Sequence, residues 1–285
     1  MRDYCPIIII GAPRSGTNML RDVLCNLPGV GSWPCDEINY IWRHGNIGVA
    51  TDEFSAEQAG PKEIHYIQKK FSHLARKKEL NYVVEKTCAN SLRVPFVDKV
   101  LPDARYVFIY RNGVDALASA KLRWKATLDM RYILEKVRFV PGVDLPYYGL
   151  KYLWNRVYRC FSKEDRLAFW GPQLSDMNLL LAQYSLEQVC ALQWKKCVES
   201  ADNALSKLPE DRVVRVKYEN FVQNPRQEIE RITKGLHMPC LVDDLDGAVS
   251  GVRRTSVGKG QQQLDKKVLD SLYPLIADTL NDYGY

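Results

Sequence analysis

Gly11-Ala-Pro-Arg-Ser-Gly-Thr-Asn18 is the stretch whose residue types and spacing can do chemistry. Its two glycines let backbone come close to an anion where a Cβ would intrude. The N–H groups of such a turn, with the positive end of a following helix, form a cradle for phosphate-like groups. Ser15, Thr17 and Asn18 add side-chain donors, and Arg14 adds a planar, permanently charged fork. The glycines have the spacing of G-x-x-x-x-G-K-[ST], but Thr17 stands where the lysine belongs. Cleavage of ATP or GTP therefore lacks its central cation.

A cation moved forward to Arg14 suits a 5′-phosphosulfate, which carries less charge than a triphosphate and needs no magnesium. A second basic group follows the apolar run Ala104 to Tyr110, in Arg111-Asn-Gly-Val-Asp-Ala-Leu-Ala-Ser119. A charged residue at the carboxyl end of a buried strand lies on the edge where open α/β sheets bind ligands. A helix over 113–123 sets Ser119 and Arg123 four apart on one face. Arg111, Ser119 and Arg123 can then converge on one phosphate. Lys86 ends the run Val83-Val-Glu-Lys, and Asp36 and Glu37 follow Pro34-Cys. A hydroxyl acceptor needs a base, and Glu37, Asp36 and Glu85 are its carboxylate candidates.

These residues resemble the sulfotransferases that use 3′-phosphoadenosine-5′-phosphosulfate (PAPS), within them the branch with P-R-S-G-T in the loop. That branch includes protein-tyrosine sulfotransferases and many bacterial sulfotransferases. The similarity runs over most of the chain and is strongest at 6–40, 82–124 and 212–285. It implies that Arg14, Ser15, Gly16, Thr17 and Asn18 hold the 5′-phosphosulfate; Asn18 replaces the common threonine but keeps a donor. It implies that Arg111, Ser119 and Arg123 hold the 3′-phosphate, which separates PAPS from adenylyl sulfate. Val213-Val-Arg-Val-Lys-Tyr218-Glu resembles the family's strand and turn in which the tyrosine lies near the nucleotide. Ser256-Val-Gly-Lys259 resembles its nucleotide-covering loop.

Lys86 matches a family lysine near the sulfate. Glu37 lies two residues beyond the spacing of the tyrosine branch's base, with Asp36 beside it as the alternative and Glu85 third. His44, His65, His73 and His237 have no counterpart. The implied reaction moves a sulfuryl group from PAPS to an acceptor hydroxyl and releases 3′,5′-ADP without a metal. The acceptor expected is a carbohydrate or small hydroxylated metabolite, with a peptide tyrosine as the alternative. The readings from other classes are a P-loop kinase and a non-catalytic adenine-nucleotide-binding module that keeps the Arg111 triad.

The elements that must position these residues follow from periodicity. Pro6-Ile-Ile-Ile-Ile10 is a continuous β-branched run, as in a strand buried on both faces. Met19, Leu20, Val23, Leu24 and Leu27 have helical spacing. Further strands are predicted at 82–84, 104–110 and 213–216, and helices at about 186–208, 225–236 and 264–280. Alternation of this kind predicts an α/β fold with a P-loop-like, mostly parallel sheet flanked by helices. The expected organisation is a single domain over 1–285, with an aromatic-rich helical insert or lid at about 125–180.

Composition fits a globular chain: 46% of the 285 residues are hydrophobic and 26% charged. The net charge of +6 is gathered locally. Seven basic residues (Arg111, Lys121, Arg123, Lys125, Arg131, Lys136, Arg138) face three acids between 111 and 138. Between 252 and 267 the count is five against Asp265. Such blocks suit a polyanionic ligand, and no nucleic-acid-binding motif accompanies them. The eight cysteines are scattered without C-x-x-C, which argues against zinc and a disulfide scaffold. With no secretory signal pattern and no apolar stretch near ~18 residues, a cytoplasmic location is expected.

Overall fold

The computed structural model describes residues 3–124, 137–161, 167, 169–239, 242–253 and 257–285. Five strands, β1 (Cys5–Ile10), β2 (Val30–Gly31), β3 (Tyr82–Lys86), β4 (Arg105–Tyr110) and β5 (Val213–Lys217), make one sheet in the order β2-β3-β1-β4-β5. Every pairing is parallel. The expected α/β fold is thus the observed one. The register sets Ile9 beside Lys86 and Ile10 beside Phe108, so the chain leaves β1, β3 and β4 on the same edge of the sheet. The order reverses between β1 and β4, and at such a switch point the crevice outside the carboxyl ends is where α/β sheets bind ligands.

Side chains alternate along β1 because a strand has a period of two. Ile7 and Ile9 join Val84, Val107, Val214 and Val216 under the helices Thr17–Cys25 and Pro225–Gly235. Ile8 and Ile10 join Val83, Tyr106 and Phe108 on the opposite face, under Pro61–Lys78, Gly113–Trp124, Leu186–Leu205 and Lys266–Asp282. Each fully buried isoleucine contributes about 1.5–3 kcal/mol of transfer free energy. The two-sided burial explains why β1 reads as an unbroken apolar run.

The helix Pro61–Lys78 was not among the expected elements. Its signals are nonetheless in the sequence, with Pro61 in the first turn, where its missing N–H costs nothing. Ile67, Phe71, Leu74 and Ala75 also lie on its buried face. β2 is two residues long and carries no periodicity to read. Of the insert expected over 125–180, residues 125–136 lie outside the described residues. The described part contains the helix Leu145–Phe161. It then returns to the body through Gln173, whose carbonyl accepts from the Asp52 N–H at 2.7 Å and whose N–H donates to Asp52 Oδ2 at 2.8 Å.

Candidate active site

The turn after β1 passes through two left-handed residues, Arg14 (φ 70°) and Gly16 (φ 90°), before the helix Thr17–Cys25 begins. A Cβ on Gly16 would come within 2.6 Å of Tyr218 Cε2, so glycine is required by conformation and by space. The Ser15 hydroxyl is buried with no hydrogen-bond partner, as is Asn18 Oδ1. Buried polar atoms without partners are rare in folded proteins; the Ser15 hydroxyl, a donor, belongs to the turn whose composition suggests an anion cradle, and Asn18 to the first turn of the helix that follows. Thr17 is buried too, with Oγ1 3.9 Å from Cys88 Sγ.

Arg14 crosses from this turn to the helix after β4, where its Nε donates to Ser119 Oγ at 2.8 Å. Arg111 Nη1 in turn donates to the Arg14 carbonyl at 3.1 Å. The Arg111 guanidinium lies 4.4 Å from the centroid of the Tyr218 ring, a cation–π stack. Arg123 is exposed on the same helix as Ser119. Burial, then the positive fields of Arg123 and Arg111, pull the Arg14 pKa below its ordinary value. The groups expected at the two phosphates are therefore contiguous, with Arg14 bridging them.

On the other side of β1, the two residues expected to do chemistry meet directly. Lys86 Nζ donates to Glu37 Oε1 at 2.9 Å, and the Cys88 N–H donates to the same oxygen at 3.3 Å. Lys86 is almost wholly buried, and burial alone would lower its pKa; the adjacent Glu37 carboxylate outweighs this and holds it above the usual lysine value. Asp36 turns away, with Oδ1 3.6 Å from Arg21 Nη1. Glu85, the third carboxylate, faces into the protein. Its oxygens accept from Thr87 Oγ1 at 2.5 Å and Asn90 Nδ2 at 2.9 Å, and burial pushes its pKa up to about 7.

A sequence model described as the sulfotransferase family matches residues 6–139 and 155–244. The chain belongs to the sulfotransferase family. A search of curated proteins found no match. Among solved structures, sulfotransferase STF9 from Mycobacterium avium aligns with a TM-score of 0.57 at 14% identity, over 100% of this chain and 78% of that one. Mouse sulfotransferase SULT7A1, solved in complex with PAP, aligns at 0.53 and 12% identity over 98% and 85%. The sulfotransferase domain from the curacin biosynthetic pathway aligns at 0.52 and 14% identity over 95% and 91%. At these identities the likeness is one of fold.

In this sulfotransferase chain the C-terminal loop reaches the site through Asp115, which no motif of the sequence marks. Asp115 Oδ1 accepts the Gly260 N–H at 2.6 Å, and Oδ2 accepts the Gly258 N–H at 2.8 Å and Arg111 Nη2 at 3.3 Å. One buried carboxylate thus fastens the loop to the residues after β4. The i, i+4 spacing of Arg111 and Asp115 was the available signal, but nothing local ties Asp115 to glycines 143 and 145 positions later. Lys259, between them, is exposed at the start of the short helix Lys259–Gln263. Ser256 lies outside the described residues.

A Cβ on Gly260 would meet the Val114 carbonyl carbon at 2.6 Å and Asp115 Cα at 2.7 Å. Because both are backbone atoms, Gly260→Ala is expected to destabilise by about 1–3 kcal/mol in urea unfolding. Gly247→Ala, with nothing within 4 Å of the added Cβ, should be neutral or stabilising by up to about 1 kcal/mol. Glu85 makes stability depend on pH. Because its folded pKa is raised, it costs the folded state nothing while protonated, and the penalty grows as pH climbs from the unfolded value to about 7. Between pH 5 and 8 the wild type should lose stability relative to Glu85→Gln, on the order of 3 kcal/mol. Parallel Tm–pH curves for the two proteins would refute the assignment.

Proposed function

We propose that this chain transfers a sulfuryl group from PAPS to an acceptor hydroxyl and releases 3′,5′-ADP. The observation that carries the reading is the joining of the two groups, Arg14 reaching Ser119 and Arg111 holding the Arg14 carbonyl, with the Arg14 pKa lowered by burial and then by the fields of Arg123 and Arg111. Such a cluster is relieved by a ligand with anionic groups at two places. The partnerless Ser15 hydroxyl fits the same ligand as a donor, and Asn18 is read as donating through its amide nitrogen. The mouse neighbour solved with PAP supports the same nucleotide class. In this reading the Gly11–Asn18 turn takes the 5′ side, and Arg111, Ser119 and Arg123 the 3′-phosphate. Tyr218 backs the Arg111 guanidinium, and Lys259, with Ser256, belongs to a covering loop. The whole chain is read as one sulfotransferase domain with a lid at about 125–180.

Sulfuryl transfer is an in-line displacement, so positioning and charge stabilisation do most of the work. The acceptor oxygen forms its bond to sulfur as the bond to the bridging phosphate oxygen breaks, and Glu37 takes the acceptor proton. Lys86 holds the Glu37 carboxylate in place, and in this reading its ammonium stabilises the charge that develops on the sulfuryl oxygens. Arg14 and Thr17 stabilise the departing phosphate. A P-loop kinase is disfavoured because no lysine follows Gly16.

For the acceptor, aromatic and cationic side chains occur together in the insert: Lys151 lies 4.7 Å from the Phe169 ring centroid and 5.9 Å from that of Tyr147. Such a surface suits a carbohydrate or small hydroxylated metabolite, with an acidic peptide bearing tyrosine as the alternative. A screen of acceptor pools with radiolabelled PAPS, with mass analysis of the product, identifies the acceptor. No labelled product from any pool, with 3′,5′-ADP still bound, would favour the non-catalytic module.

Arg111→Ala is expected to weaken 3′,5′-ADP binding roughly 10- to 100-fold while leaving AMP binding little changed. Equal losses by calorimetry would place Arg111 elsewhere than at the 3′-phosphate. Glu37→Gln should lower kcat by roughly 10²- to 10⁴-fold with 3′,5′-ADP affinity kept. Unchanged turnover would shift the base to another group.

A further inference from the structure

The helix Leu145–Phe161 lies on the protein with its apolar side outward. Leu150, Leu153, Trp154 and Val157 are exposed to 69%, 58%, 60% and 42%. At 100° per residue they fall within an arc of about 100°. Tyr148, on the opposite side, packs against the main core. A helix resting on its own protein normally buries its apolar stripe. A contiguous exposed one marks a surface with a partner.

Charge indicates which partner. By the same spacing Lys151 and Arg156 fall on either side of the stripe, and the segment holds no carboxylate. A second copy docked through the same stripe would bring like charges together, whereas an anionic lipid surface would attract them. Leucine and tryptophan beside lysine and arginine are also the residue types of helices that lie in the bilayer interface. No helix among the described residues is long and apolar enough to cross a membrane, so the geometry is that of lying on a bilayer. The family match omits 140–154, which contains most of the stripe, so this surface is not part of the shared sulfotransferase pattern.

We propose that the helix Leu145–Phe161 docks this protein onto an anionic lipid bilayer, with Leu150, Leu153, Trp154 and Val157 in the headgroup boundary. The inference stands independently of the nucleotide reading. The test is co-sedimentation of the full chain with phosphatidylcholine vesicles, with and without added phosphatidylglycerol. Binding is expected with phosphatidylglycerol and weak without it, and Leu153→Ser/Trp154→Ser should lower partitioning roughly tenfold or more. Circular dichroism and melting controls show whether that variant is folded. Should it fail to fold, the readout is quenching of wild-type emission by brominated lipid in the anionic vesicles, which Trp154→Phe should diminish. Three results would overturn the proposal: no binding to anionic vesicles, binding that neither variant alters, or a dimer in sedimentation velocity that Leu153→Ser/Trp154→Ser dissociates.

Discussion

Positive charge crowded at the carboxyl edge between β1 and β4 is the constraint to which the surrounding structure answers. Arg14 is bent into a left-handed conformation, reaches across to Ser119, and sits in the fields of Arg111 and Arg123. Guanidinium groups held this close repel one another, and partial burial removes much of the water that would screen them. The fold supplies two compensations. The Tyr218 ring offers its electron-rich face to Arg111, and Asp115 offers a buried carboxylate. Neither reaches all three cations, which leaves the cluster suited to an anion from outside.

Asp115 also shows why the C-terminal loop lies where it does. Its two oxygens take backbone N–H groups from Gly258 and Gly260 as well as the Arg111 guanidinium. Gly260 packs so closely on the backbone after Val114 that no side chain fits. Arg111 and the loop that bears Lys259 therefore share one anchor.

What could be read from the sequence was what is encoded locally. The run Pro6–Ile10 and the glycines of the turn declare themselves by pattern and spacing, and Arg111 with Ser119 eight residues on through the family resemblance. Periodicity also marked the helices Thr17–Cys25, Gly113–Trp124 and Leu186–Leu205 to within a few residues. Pro61–Lys78 carried both a start signal and a buried stripe and went unread. β2 owes its two residues to pairing with β3, which no local pattern announces. Asp115 and Glu85 are different again, since their roles depend on partners brought by the fold. A carboxylate beside valines looks the same in sequence whether it ends in solvent or, like Glu85, between Thr87 and Asn90.

The pairing of Glu37 with Lys86 depends on that same strand alternation. Along β3 successive side chains point to opposite faces, so Glu85 turns into the protein while Lys86 turns toward Glu37. Just past the strand, Thr87 Oγ1 donates to Glu85 and accepts the Ile38 N–H at 3.2 Å. Consecutive residues, 86 and 87, thereby hold consecutive residues, 37 and 38, one by side chain and the other by backbone. Had Lys86 alone held Glu37, its four-carbon stem would have left the carboxylate loosely placed. The backbone bond from Ile38 removes that freedom, and Asn90 extends it by accepting from Arg93 Nε at 2.8 Å. The candidate base is thus aligned by the register of a central parallel sheet, the most rigid element available, and the buried Glu85 is part of what that alignment costs in stability.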